Sequence, residues 1–206
     1  YWRSRRRTPY DGVVVALIGG LVLAYLAGTF PSALIIGRRV GTDPTLAGSR
    51  NPGASNVYRL IGRRAGVIVG LIDMLKGAIP TAIALAVAGR PEAHAVWLAA
   101  VAGHVWPVTR KFRGGKGMAT AGGGGIVLGP IVGLACALLF LGIVKFGRVA
   151  AIGSLSCAVA YPIVGAIVGR PGWEIAVSSG VAVILFVRHQ SNIRRLLRHE
   201  KSTVTG

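Results

Sequence analysis

Apolar runs long enough to cross a lipid bilayer narrow the architectures open to this 206-residue chain. A helix needs about 20 apolar residues to span the hydrocarbon core, because it rises about 1.5 Å per residue. Hydrophobic residues form 52% of the chain and charged residues 15%, against roughly a quarter charged in soluble domains. We therefore predict an all-α, polytopic membrane helix bundle. The apolar runs are 13–36, 65–88, 93–109, 117–144, 149–168 and 173–187.

The longest run, 117–144, exceeds one untilted span. It is interrupted by Gly129-Pro130, a pair that favours a turn and removes a backbone donor, so it can form one kinked helix or two short ones. Two helices give seven crossings, with the N-terminus outside and the C-terminus cytoplasmic. This arrangement places most of the Lys and Arg residues in cytoplasmic segments, where membrane proteins carry an excess of them. The basic inner segments are then 37–64, 110–116, 145–148 and 188–206.

Membrane topology also explains the charge balance of the chain. The chain has 24 Lys and Arg against 6 Asp and Glu, a formal charge of +18, which in a soluble protein indicates nucleic-acid binding. Here the positive charge follows the predicted topology, so we expect no nucleic-acid partner. We interpret residues 1–206 as a single integral-membrane domain, with a basic N-terminal segment at 1–12 and a basic cytoplasmic tail at 188–206.

One predicted span contains two opposite charges. Asp73 and Lys76 lie three positions apart in an otherwise apolar helix, so they share a face and partly neutralise each other. Charges inside a membrane are costly and usually functional. The pair has two interpretations: a structural ion pair facing the bundle, or the lining of a polar cavity that holds a charged substrate.

Three polar, glycine-rich segments lie on the predicted cytoplasmic side. In one of them, Gly114-Gly115-Lys116-Gly117 directly precedes a span. Glycines let backbone N–H groups turn toward an anion, and a helix N-terminus adds a favourable dipole, so the pattern predicts phosphate binding. ATP hydrolysis is unsupported, because Gly117 stands where a Walker motif has Ser or Thr. The segments are 48–59, 103–120 and 188–200.

Other enzyme machinery is missing from the sequence. It contains no GxSxG nucleophile elbow, no HExxH or comparable metal spacing, and no histidine followed five positions later by aspartate. We therefore predict no metal site. Cys136 and Cys157 lie in apolar runs without redox-like spacing, which indicates packing.

Five motifs occur in order along residues 25–200. Together they closely resemble the bacterial integral-membrane acyl-phosphate:glycerol-3-phosphate acyltransferase family. The resemblance implies a seven-helix bundle in the bacterial plasma membrane whose active site opens to the cytoplasm. The motifs are AYLAGTFPSALI, GSRNPGASNVYR, DMLKG, GHVWPV followed by FRGGKGMAT, and RHQSNIRRLL.

The resemblance also implies a reaction. Such enzymes transfer a fatty acyl group from acyl phosphate to the 1-hydroxyl of glycerol 3-phosphate, giving lysophosphatidic acid and phosphate without a metal or cofactor. Substrates and membrane lipid are the expected partners. The matching catalytic residues are Ser49, Arg59, Lys116, His189 and Asn192. The expected phosphate-binding residues are Gly48, Asn51, Gly53, Asn56, His104, Gly114, Gly115 and Gly117, with Asp73 and Lys76 in support.

Some family positions differ in this chain, and they bear on substrate preference. A diverged paralogue that acylates another phosphorylated alcohol and an organic-phosphate transporter are the alternatives. Either His189 or a substrate phosphate can take the hydroxyl proton. The departures are Thr29, Thr45, Arg50, Ser55 and His199.

Overall fold

The computed structural model describes residues 9–147 and 149–198, and throughout these ranges the chain is helical without β-strands. Residues 1–8 of the basic N-terminal segment, the end of the tail and the departure at His199 lie outside the described residues. A 3-10 turn, Val108–Arg110, precedes α6. The helices are α1 (Pro9–Gly28), α2 (Ser32–Arg39), α3 (Ala54–Leu60), α4 (Arg63–Val87), α5 (Arg90–Val105), α6 (Met118–Leu128), α7 (Pro130–Gly147), α8 (Ala150–Ile167), α9 (Gly172–Arg188) and α10 (Gln190–Leu197).

The outer surface of the bundle is apolar. Large side chains point outward along the long helices: Val15, Leu138 and Ile167 are 70%, 70% and 77% exposed. Exposed apolar surface on this scale suits hydrocarbon better than water. Within the described residues, four segments are both long and apolar enough to cross a membrane: Val14–Arg39, Arg63–Val87, Pro130–Gly147 and Ala150–Ile167.

Prolines set several helix boundaries. The run expected to form the first span is divided between α1 and α2, because Pro31 has no N–H and disfavours helix in the residue before it. α5 ends at Val105, four residues before the predicted end of its run at 109, because Pro107 follows closely. The division at Gly129-Pro130 is confirmed, since α6 ends before this pair and α7 begins at the proline.

Small residues bring the central helices close together. A Cβ atom added to Gly28 of α1 would collide with the carbonyl oxygen of Ala100 in α5. One added to Gly103 of α5 would collide with the carbonyl oxygen of Tyr25 in α1. Backbone approach of this kind is how membrane helices gain van der Waals contact without a water-driven hydrophobic effect.

A buried carboxylate links α5, α6 and α9 at one end of the bundle. Arg90 donates two hydrogen bonds to Glu174, of 2.6 and 2.7 Å, and a third of 3.1 Å to the carbonyl of Leu128. That carbonyl belongs to the last turn of α6, where intrahelical donors run out. The arginine therefore satisfies the helix end that Gly129-Pro130 creates.

Candidate active site

One cavity of about 470 Å³ brings together the residues singled out in the sequence. All five expected catalytic residues line it: Ser49, Arg59, Lys116, His189 and Asn192. Asn51, Gly53, Asn56, His104, Gly117 and Asp73 also line it, whereas Gly48, Gly114, Gly115 and Lys76 are not among its lining residues. Arg195 of α10 lines the cavity too; it lay in the tail that we interpreted as a topology signal.

The cavity changes character along its length. Its polar end is formed by the loop before α3, the loop before α6 and the start of α10. The remainder is lined by apolar faces of α6, α7, α8 and α9, including Phe140, Ala158 and Val181. On α7 the lining positions 133, 136, 137, 140 and 141 follow helical spacing, so one face of that helix forms a wall.

Lys116 and Asn192 meet at the polar end, where the Lys116 ammonium donates a hydrogen bond to the Asn192 side-chain oxygen. Burial lowers the pKa of Lys116 to about 8, helped by the positive charges of Arg195, Arg59 and Arg188. The only carboxylate among the described lining residues is Asp73. An anion bound here would therefore relieve repulsion among these cations.

The loop that contains Gly114 and Gly115 is held by hydrogen bonds from two sides. Arg188 donates to the carbonyls of Gly114 and Gly115, at 2.9 and 3.2 Å. The N–H groups of the same glycines donate to the carbonyls of Val105 and His104. These N–H groups are thus engaged within the fold, contrary to the expectation that they face an anion. The loop instead positions the Lys116 side chain and the start of α6 at the cavity.

Steric demands explain the glycines of this loop. A Cβ atom at Gly115 would collide with the His104 ring, and one at Gly114 with the carbonyl oxygen of Val105. Gly117 precedes α6 with a φ of +84°, a conformation that side chains disfavour. His104 thus acts as a packing surface beneath the loop as well as lining the cavity.

Asn56 stabilises the loop before α3. Its buried amide donates to the carbonyls of Pro44 and Ala47, at 2.8 and 3.1 Å, and accepts the N–H of Ser49 at 2.9 Å. Gly48 has a φ of +60°, and a Cβ atom there would lie 2.5 Å from the Asn56 oxygen. The polar atoms of Asn56 are therefore committed to holding Ser49 at the cavity.

His189 ends α9 and is 3% exposed. Its Nδ1 lies 2.8 Å from the carbonyl oxygen of Leu185. A carbonyl only accepts, so Nδ1 carries the proton and Nε2 keeps its lone pair. Burial lowers the pKa of His189 to about 4, so the ring is neutral at pH 7, and the same shift makes Nε2 a weaker base than an ordinary imidazole.

The Asp73–Lys76 pair supports the break between α1 and α2. Asp73 accepts hydrogen bonds from Ser32 at 2.6 Å and from Lys76 at 2.8 Å, and Lys76 also donates to the Phe30 carbonyl at 3.0 Å. The pair is thus a structural ion pair that satisfies backbone freed by Pro31. Asp73 also lines the cavity, and a role of the pair in holding a charged substrate stays a prediction.

Comparison with known proteins identifies the family to which this chain is similar. Residues 18–199 match the family model described as glycerol-3-phosphate acyltransferase. The glycerol-3-phosphate acyltransferase of Geobacter sulfurreducens is 41% identical over 175 residues, covering 84% of this chain and 90% of that relative.

Two solved structures have the same fold. They are PlsY, an integral membrane glycerol 3-phosphate acyltransferase, in its glycerol 3-phosphate form and its lysophosphatidic acid form. Both are 33% identical and cover 91% of this chain and 95% of that chain, with TM-scores of 0.88 and 0.85. From the family match and the shared fold, the chain belongs to the glycerol-3-phosphate acyltransferase family.

Proposed function

We propose that this chain transfers a fatty acyl group from acyl phosphate to the 1-hydroxyl of glycerol 3-phosphate, giving lysophosphatidic acid and phosphate. The observation that carries the proposal is a single cavity with a cationic end and an apolar remainder. These two environments match the phosphate and the acyl chain of the reactants. The relatives' name and the two ligand forms of PlsY support the same acceptor and product.

Acyl phosphate is the donor that suits this site. It is a mixed anhydride and already activated, so orientation and charge stabilisation suffice without a covalent enzyme intermediate. The acceptor hydroxyl oxygen attacks the acyl carbon, the bond between that carbon and the phosphate oxygen breaks, and inorganic phosphate leaves. The hydroxyl proton passes to His189 Nε2 or to a phosphate oxygen.

The remaining polar residues hold the charged groups. Arg59 and Lys116 bind phosphate, as charge-assisted donors do. Ser49 and Asn192 donate to a phosphate or to the oxyanion that develops on the acyl carbon. Of the residues expected to bind phosphate, Gly48, Asn56, Gly114 and Gly115 act by shaping the two loops. Asn51, Gly53, His104 and Gly117 remain direct candidates, because they line the cavity.

The proposal includes a membrane arrangement. One domain spans 1–206 and crosses the bacterial plasma membrane seven times: through the α1–α2 segment, α4, α5, α6, α7, α8 and α9. The N-terminus is outside, the C-terminus is cytoplasmic and the cavity opens to the cytoplasm. The support is electrostatic, because the cationic end of the cavity lies among the Lys- and Arg-rich segments, which face the cytoplasm in membrane proteins.

The alternatives predict other behaviour. A diverged paralogue would acylate a different phosphorylated alcohol at the same site. A transporter needs a polar route, whereas the inner part of this cavity is apolar. Counterflow of organic phosphate in liposomes tests transport directly.

The reaction is tested by purified protein, palmitoyl phosphate and glycerol 3-phosphate, with lysophosphatidic acid and phosphate both quantified. We expect product only with both substrates, and a loss of about 100-fold in Lys116→Ala, as when a charge-stabilising donor is removed. Lys111→Ala, an exposed lysine of the same loop, is the matched control and should keep full activity. Folded wild-type protein that turns over neither acyl phosphate nor acyl-CoA would refute the assignment.

A further inference from the structure

Four consecutive glycines in α6, Gly122 to Gly125, have four different surroundings. A Cβ atom at Gly123 would collide with the Met74 backbone of α4, and one at Gly124 with the Trp97 ring. At Gly125 it would lie 2.9 Å from the Tyr161 ring. At Gly122 it meets nothing within 4 Å, and Gly122 lines the cavity. Three glycines therefore allow close packing, and Gly122 leaves space open.

Two aromatic rings are fixed against the same helix. Trp97 donates to the carbonyl of Ala121 at 3.0 Å, and Tyr161 donates to that of Gly125 at 2.7 Å. Their ring centroids are 5.9 Å apart, and both residues line the cavity. Because each ring is hydrogen-bonded to α6 and packed on a glycine, neither can swing aside cheaply.

These features are arranged along the apolar tract of the cavity. Gly122 lies four residues, about 6 Å of helix rise, beyond the first residue of α6, and it is next to Ala121, whose carbonyl accepts the Trp97 hydrogen bond. On α8 the cavity wall runs from the region of Val149 to Tyr161, about 18 Å of helix rise. One leaflet of a hydrocarbon core about 30 Å thick is similar in depth.

We propose that Gly122 and the Trp97–Tyr161 pair set the upper limit on acyl-chain length. Gly122 keeps the tract open between the phosphate end and its inner part, and the two rings end it at the length of a leaflet-forming chain. This specificity rests on the proposed acyl transfer and deepens it by assigning the limit on acyl-chain length to named residues of the cavity.

The test is a chain-length series with octanoyl, dodecanoyl and palmitoyl phosphate in wild type, Gly122→Ala and Gly122→Leu. A Cβ atom at Gly122 meets nothing within 4 Å and the residue lines the cavity, so we expect a leucine side chain to extend into the tract and folding to be retained. If the leucine displaces two methylene groups of the acyl chain from the tract, the lost burial corresponds to about a tenfold loss of kcat/KM. We expect the palmitoyl-to-octanoyl ratio of kcat/KM to fall by about tenfold in Gly122→Leu and less in Gly122→Ala.

Two further variants bracket this result. Gly180→Leu makes the same change at an exposed glycine of α9 with open space around it, and should leave the ratio unchanged. Tyr161→Ala removes part of the end wall of the tract. It should raise kcat/KM for eicosanoyl phosphate relative to that for palmitoyl phosphate. An unchanged ratio in Gly122→Leu, or an equal fall at every chain length, overturns the proposal.

Binding separates this inference from the proposed reaction. Thermal stabilisation by octanoyl and palmitoyl lysophosphatidic acid reports on the tract without turnover. If wild type has no transferase activity, yet Gly122→Leu loses stabilisation by the palmitoyl form alone, the reaction fails and the length limit stands. If stabilisation by both forms is unchanged in Gly122→Leu, the length limit fails regardless of activity.

Discussion

At the scale of single residues, Lys116 is the group whose ionisation the fold controls most directly. It is held between the side-chain oxygen of Asn192 and the positive charges of Arg59 and Arg195. Burial and these neighbours favour the neutral amine and lower its pKa to about 8. A bound phosphate adds negative charge and reverses this balance, so ligand binding should raise the pKa.

The first prediction concerns the alkaline limb of activity. Below pH 8 Lys116 is protonated and attracts phosphate, and above pH 8 it becomes neutral. We expect kcat/KM for glycerol 3-phosphate to fall about fivefold between pH 8 and pH 9, with the corresponding limb in kcat displaced to higher pH. Initial rates from pH 6 to pH 10 measure both limbs.

Lys116→Arg provides the control, because a guanidinium stays protonated throughout this range. The variant should lose the limb in kcat/KM even if its overall activity is lower. An identical alkaline limb in both proteins would assign that titration to another group.

At the scale of elements, α6 is defined by how closely its neighbours approach. It has 11 residues, and its glycines admit the α4 backbone and the two aromatic rings. Glycine is a poor helix former, so this composition costs intrinsic helix stability. Tertiary packing compensates, because the exposed backbone becomes a contact surface.

The second prediction separates packing glycines from tolerant ones. Gly123→Ala should lower the free energy of unfolding by about 1–3 kcal/mol, because its methyl group would overlap the Met74 backbone. Gly142→Ala in α7 meets nothing within 4 Å and should be neutral or stabilising, by up to about 1 kcal/mol. Thermal unfolding in one detergent compares the two variants. Equal effects would show that the α4–α6 approach is not tight.

At the scale of the whole molecule, an apolar exterior encloses one amphipathic cavity. Apolar side chains face outward along the long helices, while buried charges occur as partnered groups such as Asp73 with Lys76. This distribution follows from a solvent that offers no hydrogen bonds in its core. We propose that the cationic end of this cavity opens to one side of the membrane.

The third prediction tests which side that is. Leu46 lies in the exposed loop between α2 and α3, and Gly172 begins α9 at the other end of the bundle. In a protein with Cys136 and Cys157 replaced by alanine, a membrane-impermeant maleimide should label Gly172→Cys in intact spheroplasts. It should label Leu46→Cys only in inside-out vesicles. The reverse pattern would contradict a cytoplasmic active site.

Much of the helical layout was predictable because bilayer thickness and proline chemistry act locally. The break at Gly129-Pro130 is an example, since a turn-favouring pair interrupts a run too long for one span. The break before Ser32 was missed. Pro31 is equally visible in the sequence, but helices tolerate proline when neighbours satisfy the freed groups, as α4 does with Pro80.

The sequence by itself determined that the chain is a helical membrane protein with glycine-rich, cationic segments, because hydropathy and charge are properties of the chain. Only the tertiary structure decided what those segments do. The N–H groups of Gly114 and Gly115 bond to α5, Asn56 is committed to its loop, and Arg195 joins Lys116 at the cavity. Such assignments depend on which distant atoms meet, and spacing along a chain does not specify that.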